Sequence, residues 1–159
     1  MDSKFKFGDY EFVMLTEADF ADFKAVSESA EPRRQAQLFQ WALSKQAWFF
    51  LYIVRYQGEV IGRVESKVIN HAVPFYEIGL EVKSEYRNLG HGEQMIKHVV
   101  SYLKNTCFAK RIHGVVNVDN KASNALFRKT ELLLECTLKN YGVTIESDPC
   151  DSNIYSVIF

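Results

Sequence analysis

The strongest constraint on this chain is a strand, a glycine turn and a helix run together over residues 75–104, FYEIGLEVKSEYRNLGHGEQMIKHVVSYLK. Residues 75–83 alternate. Tyr76, Ile78, Leu80 and Val82 fall on one face of a strand, and Phe75, Glu77, Gly79 and Glu81 on the other. Beyond the turn the apolar period becomes helical, with Met95, Ile96, Val99, Val100 and Leu103 on one stripe and Lys97, His98, Ser101 and Lys104 opposite. Gly90 and Gly92 stand at the junction. The first N–H groups of a helix have no internal partner, and the helix dipole adds partial positive charge there. Glycines let an anion come close to the backbone. RNLGHG therefore reads either as a phosphate or pyrophosphate cradle, or as an ordinary turn using glycine for its backbone freedom.

Two familiar phosphate loops are excluded. The dinucleotide fingerprint G-x-G-x-x-G fails because Met95 holds the third glycine position, and because four strand-like segments precede the turn. No G-x-x-x-x-G-K-[ST] sequence exists either.

The rest of the chain fits one α/β (α+β) domain over residues 1–159. Residues 10–16 read as a strand, after which Thr16 and Asp19 approach a capping box for a helix carrying Phe20, Phe23 and Val26. Pro32 opens a second helix carrying Leu38, Trp41 and Ala42. Residues 48–56 and 60–69 form a hairpin turned at Gln57, Gly58 and Glu59. A strand over 111–118, a short helix over 119–129 with Ala122, Ala125 and Leu126 on one face, and two closing strands complete the order β-α-α-β-β-β-α-β-α-β-β. The loop expected between the closing strands, residues 142–153, holds Glu146, Asp148 and Asp151.

Composition excludes several classes. With 47% hydrophobic and 25% charged residues, the chain reads as soluble and globular. A net charge of −1 argues against a general nucleic-acid binder. The longest apolar run, residues 47–54, is strand length and far short of the roughly 18 residues of a membrane span. Residues 1–10 show no apolar leader, and the three cysteines form no C-x-x-C pair, so a reduced, cytoplasmic setting is expected. His91, His98, His113 and Cys107 do not converge by spacing, so no metal is expected.

Arg87-Asn88-Leu89-Gly90-His91-Gly92 resembles the [RQ]-x-x-G-x-[GA] loop of the GNAT acyl-CoA N-acetyltransferase superfamily. YEIGLEV before it is similar to the strand that meets the pantetheine arm in that family. Downstream, NKASNALFRKTEL resembles the family's N-x-x-S-x-x-[LV]-[LY]-x-K-x-G-[FM] helix, with Asn120, Ser123, Leu126, Phe127, Lys129 and Leu132 matching. This form is typical of the ribosomal-protein-alanine N-acetyltransferase-like branch. The resemblance implies a single domain with a mixed central sheet of about six to seven strands flanked by four helices. It also implies acetyl-CoA as co-substrate, met by Leu80, Val82, Arg87, Asn88, Leu89, Gly90, His91, Gly92, Glu93, Asn120, Phe127 and Lys129. Two positions depart from the pattern. Glu131 stands where the family has a helix-ending glycine, so the turn there must be built differently. Phe127 replaces a tyrosine that reprotonates the CoA sulfur in many members, which excludes a phenol acid at that site.

Moving an acetyl group from a thioester to an amine needs a base for the amine proton, a donor for the oxyanion and support for the leaving thiolate. The resemblance makes Glu77 the first candidate base; the alternative is a strand glutamate in a structural ion pair. Glu81 shares its face but lies about 13 Å away at 3.3 Å per residue, too far for a dyad. Ser123 is the candidate for binding or protonating the thiolate, or else a solvated helix hydroxyl. Asn120 reads as an arm contact or a helix cap, and Lys129 as a phosphate contact or a solvated lysine. The acceptor is expected to be a primary amine: a peptide N-terminus, a polyamine or another small cationic amine. Glu28, Glu31, Glu77, Glu81, Glu146, Asp148 and Asp151 would line its groove with negative charge. A non-catalytic acyl-CoA-binding module on the same fold is the alternative, and a homodimer is a further expectation.

Overall fold

The computed structural model describes residues 1–45, 47–143 and 148–159. Eight strands form one sheet in the order β1-β2-β3-β4-β5-β6-β8-β7. They are β1 (Lys4–Phe7), β2 (Tyr10–Met14), β3 (Phe49–Tyr56), β4 (Glu59–Asn70), β5 (Phe75–Val82), β6 (Arg111–Asn117), β7 (Leu133–Val143) and β8 (Pro149–Ile158). The helices are α1 (Phe20–Ala25), α2 (Pro32–Ser44), α3 (His91–Asn105) and α4 (Lys121–Phe127). The sheet has one strand more than the upper expectation. The addition is β1, whose KFKF is too short to show a period and gains its place only by pairing Phe5 with Phe12 across a hairpin.

Alternation along the strands divides the core in two. Tyr52, Val54, Ile61, Val64, Tyr76 and Ile78 pack under the apolar stripe of α3, together with Phe127 of α4. Leu51 and Ile53 of β3 point the other way, against Phe23 and Val26 of the first helical region and Phe39 and Ala42 of α2. Truncating a fully buried ring such as Phe23 costs about 3–5 kcal/mol. In α2 the buried aromatic is Phe39, one position from the expected stripe, whereas Trp41 is 39% exposed, with one side against Trp48 and Phe49. In α4 the buried residues are Asn124 and Phe127, not Ala122 and Ala125. The capping box forms as expected: both the backbone N–H and the hydroxyl of Thr16 donate to Asp19, at 2.7 and 2.6 Å.

All neighbouring strands are antiparallel except β5 and β6, which are parallel and pair over only three residues: Phe75 with Arg111, Tyr76 with Ile112, and Glu77 with His113. Beyond that point β5 follows β4 and β6 follows β8, and the two part. The sheet opens into a fork with Glu77 and His113 at its crotch. No helix among the described residues is long and apolar enough to cross a membrane.

Candidate active site

The fork leaves the β6-facing backbone edge of residues 78–82 without a strand partner. Buried peptide groups almost always find partners. An open strand edge inside a sheet is therefore a template for an extended ligand carrying its own amides, as in strand addition.

The glycine turn closes the open end of the fork. Gly90 caps α3 in the left-handed region, with φ +86°. Asn88 is left-handed too, at φ 63°. None of the backbone N–H groups of residues 88–93 donates to a backbone acceptor among the described residues; the first such bond is Gln94 N–H to Gly90 O at 3.2 Å. Six amides at the positive end of a 15-residue helix make an anion cradle.

The side chains of the turn are committed elsewhere. Arg87 Nε donates to the Val82 carbonyl at 2.8 Å, and its guanidinium reaches Glu28 at 3.2 Å. His91 turns into a group of rings, with Nδ1 2.8 Å from the Tyr10 hydroxyl and Tyr56 and Tyr86 alongside. Glu93 is paired with Lys97 at 2.6 Å. The Leu89 side chain is exposed. The turn thus presents backbone, not side chains, to an anion. His98, seven residues after His91, stacks on Phe7, and burial lowers its pKa. Neither histidine joins a metal-binding cluster among the described residues.

α4 follows β6 and so lies at the open end of the fork, on the α3 side of the sheet. Asn120 accepts the Ser123 N–H at 3.0 Å, which is the cap geometry. The Ser123 hydroxyl is partly exposed and has no partner among the described residues. Leu126 packs toward Gly92, and Val82 lies against the same glycine. Leu80 is half-buried against the α3 core, and Lys129 is exposed. The Phe127 ring is buried, stacked with Tyr155 at 5.4 Å and lying over Gly114, the residue after His113. The turn at Glu131 is built without a left-handed residue: the Thr130 hydroxyl donates to the Phe127 carbonyl at 2.8 Å and accepts from Leu132 N–H at 3.3 Å.

Sequence reasoning missed Asn124. Its amide donates to the carbonyls of Asn117, Val118 and Asn120, and its oxygen accepts from Asn153 and from the Tyr155 hydroxyl. This buried amide locks α4 onto the ends of β6 and β8.

On the opposite face, Glu77 lies 3.1 Å from His113 Nε2 and 3.7 Å from Lys67 Nζ. Its pKa is lowered, first by the bond to His113, against desolvation, with Lys67 assisting. The other acidic residues are mostly engaged. Glu81 takes the Ser29 N–H and hydroxyl and pairs with Arg63 at 3.2 Å. Glu28 takes the Ser84 N–H at 2.8 Å besides Arg87. Asp151 lies within β8, not in a loop, paired with Lys139 at 2.6 Å. Glu146 is outside the described residues. The sequence located the acids but not their partners: Glu28, Glu77, Glu81 and Asp151 are each held by a basic side chain, so they do not form a groove of free negative charge.

The acetyltransferase (GNAT) family model matches residues 12–131, and the chain belongs to that family. An uncharacterized N-acetyltransferase of Bacillus subtilis (strain 168), YoaA, is 33% identical over 100 residues, covering 63% of this chain and 56% of that protein. This chain therefore matches little more than half the length of that curated relative. Among solved structures, the RimL ribosomal L7/L12 alpha-N-protein acetyltransferase superposes with a TM-score of 0.83 at 17% identity, covering 96% of this chain and 92% of that one. The microcin C7 self-immunity acetyltransferase MccE, in complex with acetyl-CoA and AMP, gives 0.82 at 17% identity, covering 100% and 98%. At such identities these two structures establish the shared fold.

Proposed function

We propose that the protein transfers an acetyl group from acetyl-CoA to a primary amine, with Glu77 receiving the amine proton and Ser123 supporting the leaving sulfur. The observation that carries this reading is the fork between β5 and β6. It joins an unpaired strand edge to the amide cradle at residues 88–93, which suits a molecule with an amide-bearing arm and a pyrophosphate. Acetyl-CoA supplies an activated acetyl thioester when bound. The β5 edge would hold its arm in line, and the turn amides would hold its phosphates.

Glu77 and Ser123 face the fork from opposite sides of the sheet, so the amine and the sulfur have separate approaches. As a carboxylate, Glu77 can take the proton lost when the amine nitrogen becomes an amide, directly or through a water. The Ser123 hydroxyl is free to donate to the departing sulfur, a task Phe127 cannot perform. Unpaired amides near the crotch are the available donors for charge developing on the carbonyl oxygen.

The test has two arms. At about 100 times its dissociation constant, acetyl-CoA should add about 2.7 kcal/mol of stability, read as a rise in melting temperature. Free thiol should then appear when acetyl-CoA is offered with peptides, polyamines, amino acids or aminoglycosides. A melting shift without thiol release from any amine would favour the non-catalytic module; no shift would remove CoA from the site.

A further inference from the structure

The buried imidazole of His113 is the one group at the crotch to which the reaction above gives no task. His113 is β6's register partner of Glu77, is 8% exposed, and lies under the Phe75 ring at 4.9 Å. Its Nε2 is 3.1 Å from Glu77 Oε2, while its Nδ1 is buried with no partner among the described residues. These contacts define its hydrogen-bonding state. With its proton on Nδ1 alone, the ring would set a nitrogen lone pair against a carboxylate oxygen. A proton on Nε2, donated to Glu77, is what satisfies the contact.

The surrounding charges agree with a donor here. Lys67 of β4 approaches the other oxygen of Glu77 at 3.7 Å. On the far side, Arg111 and the Ser156 hydroxyl are both directed to Glu135, so neither competes for the imidazole. We propose that His113 is a positioning residue: its Nε2–H holds the Glu77 carboxylate in one orientation at the crotch, and the acceptor amine approaches the second oxygen in competition with Lys67 alone. This rests on the reading of the fork as an acetyl-transfer site. The lowered pKa of Glu77, whose first cause is this bond, is in keeping with it.

The experiment has a spectroscopic arm on the resting protein and a kinetic arm. Ring-nitrogen NMR of wild type near neutral pH should show a proton on His113 Nε2; a ring protonated on Nδ1 alone would overturn the proposal. Carboxyl-carbon NMR should show the Glu77 titration moving upward in His113→Leu and returning most of the way in His113→Gln, whose amide can donate from a similar place. An unmoved Glu77 titration in His113→Leu, or no difference between the two variants, would also overturn it. In the assay, His113→Leu should lower kcat about 10–100-fold, with the acetyl-CoA KM within about twofold. His113→Gln should regain about tenfold; equal losses in both variants would reduce His113 to packing. The spectroscopic arm needs no acceptor, so it stands or falls separately from the acetyl-transfer reading.

Discussion

Leu126 of α4 packs against the bare backbone of Gly92 in α3: a Cβ at Gly92 would lie 3.1 Å from a Leu126 methyl and 3.5 Å from one of Val82. Gly90, two residues earlier, has the opposite character, open space around it but a left-handed backbone. The two glycines should therefore fail differently. Gly90→Val pays about 1–2 kcal/mol of backbone strain and distorts the cradle, whereas Gly90→Asn, which tolerates that region, retains more binding. Gly92→Ala should cost little, because a flexible leucine methyl can give. Gly92→Val should push α4 away and weaken acetyl-CoA binding by more than tenfold. Isothermal titration with acetyl-CoA across the four variants checks the order; equal losses at both positions would contradict it.

Glu77→Gln should lower kcat by about 10²–10⁴ and leave the melting shift with acetyl-CoA intact, since the cradle lies at the other end of β5. Glu77 also makes a pH-dependent contribution to stability. Its folded pKa is lowered, so this contribution is present above the unfolded value of 4.5 and is lost as pH falls through the folded one. Acid unfolding of Glu77→Gln should therefore show a weaker fall in stability below about pH 4.5 than wild type.

Asn124 is the structural counterpart. Replacing it with leucine leaves the Val118 carbonyl, the Asn153 amide and the Tyr155 hydroxyl without this partner, while the carbonyls of Asn117 and Asn120 keep the backbone N–H groups of Asn120 and Asn124; the cost is about 1–3 kcal/mol for each group left without a partner. A loss of about 3 kcal/mol or more in urea unfolding is expected. Because α4 carries Ser123, turnover at a temperature where the variant stays folded should fall as well.

The strand–turn–helix over residues 75–104 was legible because its two periods and its glycines are local signals. The fork was not, because it depends on where β6, some thirty positions downstream, stops pairing with β5. His113 was read only as a poor metal ligand, since nothing in the sequence places it beside Glu77. Glu81 and Glu28 were legible as acids but not as the ties that fasten the α1–α2 connection to β5 and to the glycine turn. Burial hid Asn124 in the same way: its five partners come from the end of β6, the start of α4 and β8.

Those ties bear on the acceptor. With Glu81, Glu28 and Asp151 paired, long-range attraction for a cation is weak, so raising salt from about 0.05 to 0.5 M should change kcat/KM for the amine by less than about threefold. What selects the amine is then its own basicity. Glu77 sits below the usual carboxylate range, which makes it a poor base for a fully protonated ammonium. The reacting species must arrive largely as free amine. At pH 7 a peptide α-amine of pKa about 7.7–8.0 is roughly a tenth to a fifth neutral, whereas a lysine-like amine near 10.4 is about 0.04% neutral. Peptide N-termini should therefore exceed polyamines and lysine side chains by about two- to four-hundredfold in kcat/KM at pH 7. For each amine the rate should climb with pH toward that amine's own pKa and not toward a shared enzyme value. Initial rates for a peptide with a free N-terminus, its N-blocked lysine analogue and spermidine, each from pH 6 to 10, measure both effects. A common midpoint for all three would place the limiting proton on the enzyme and overturn the argument.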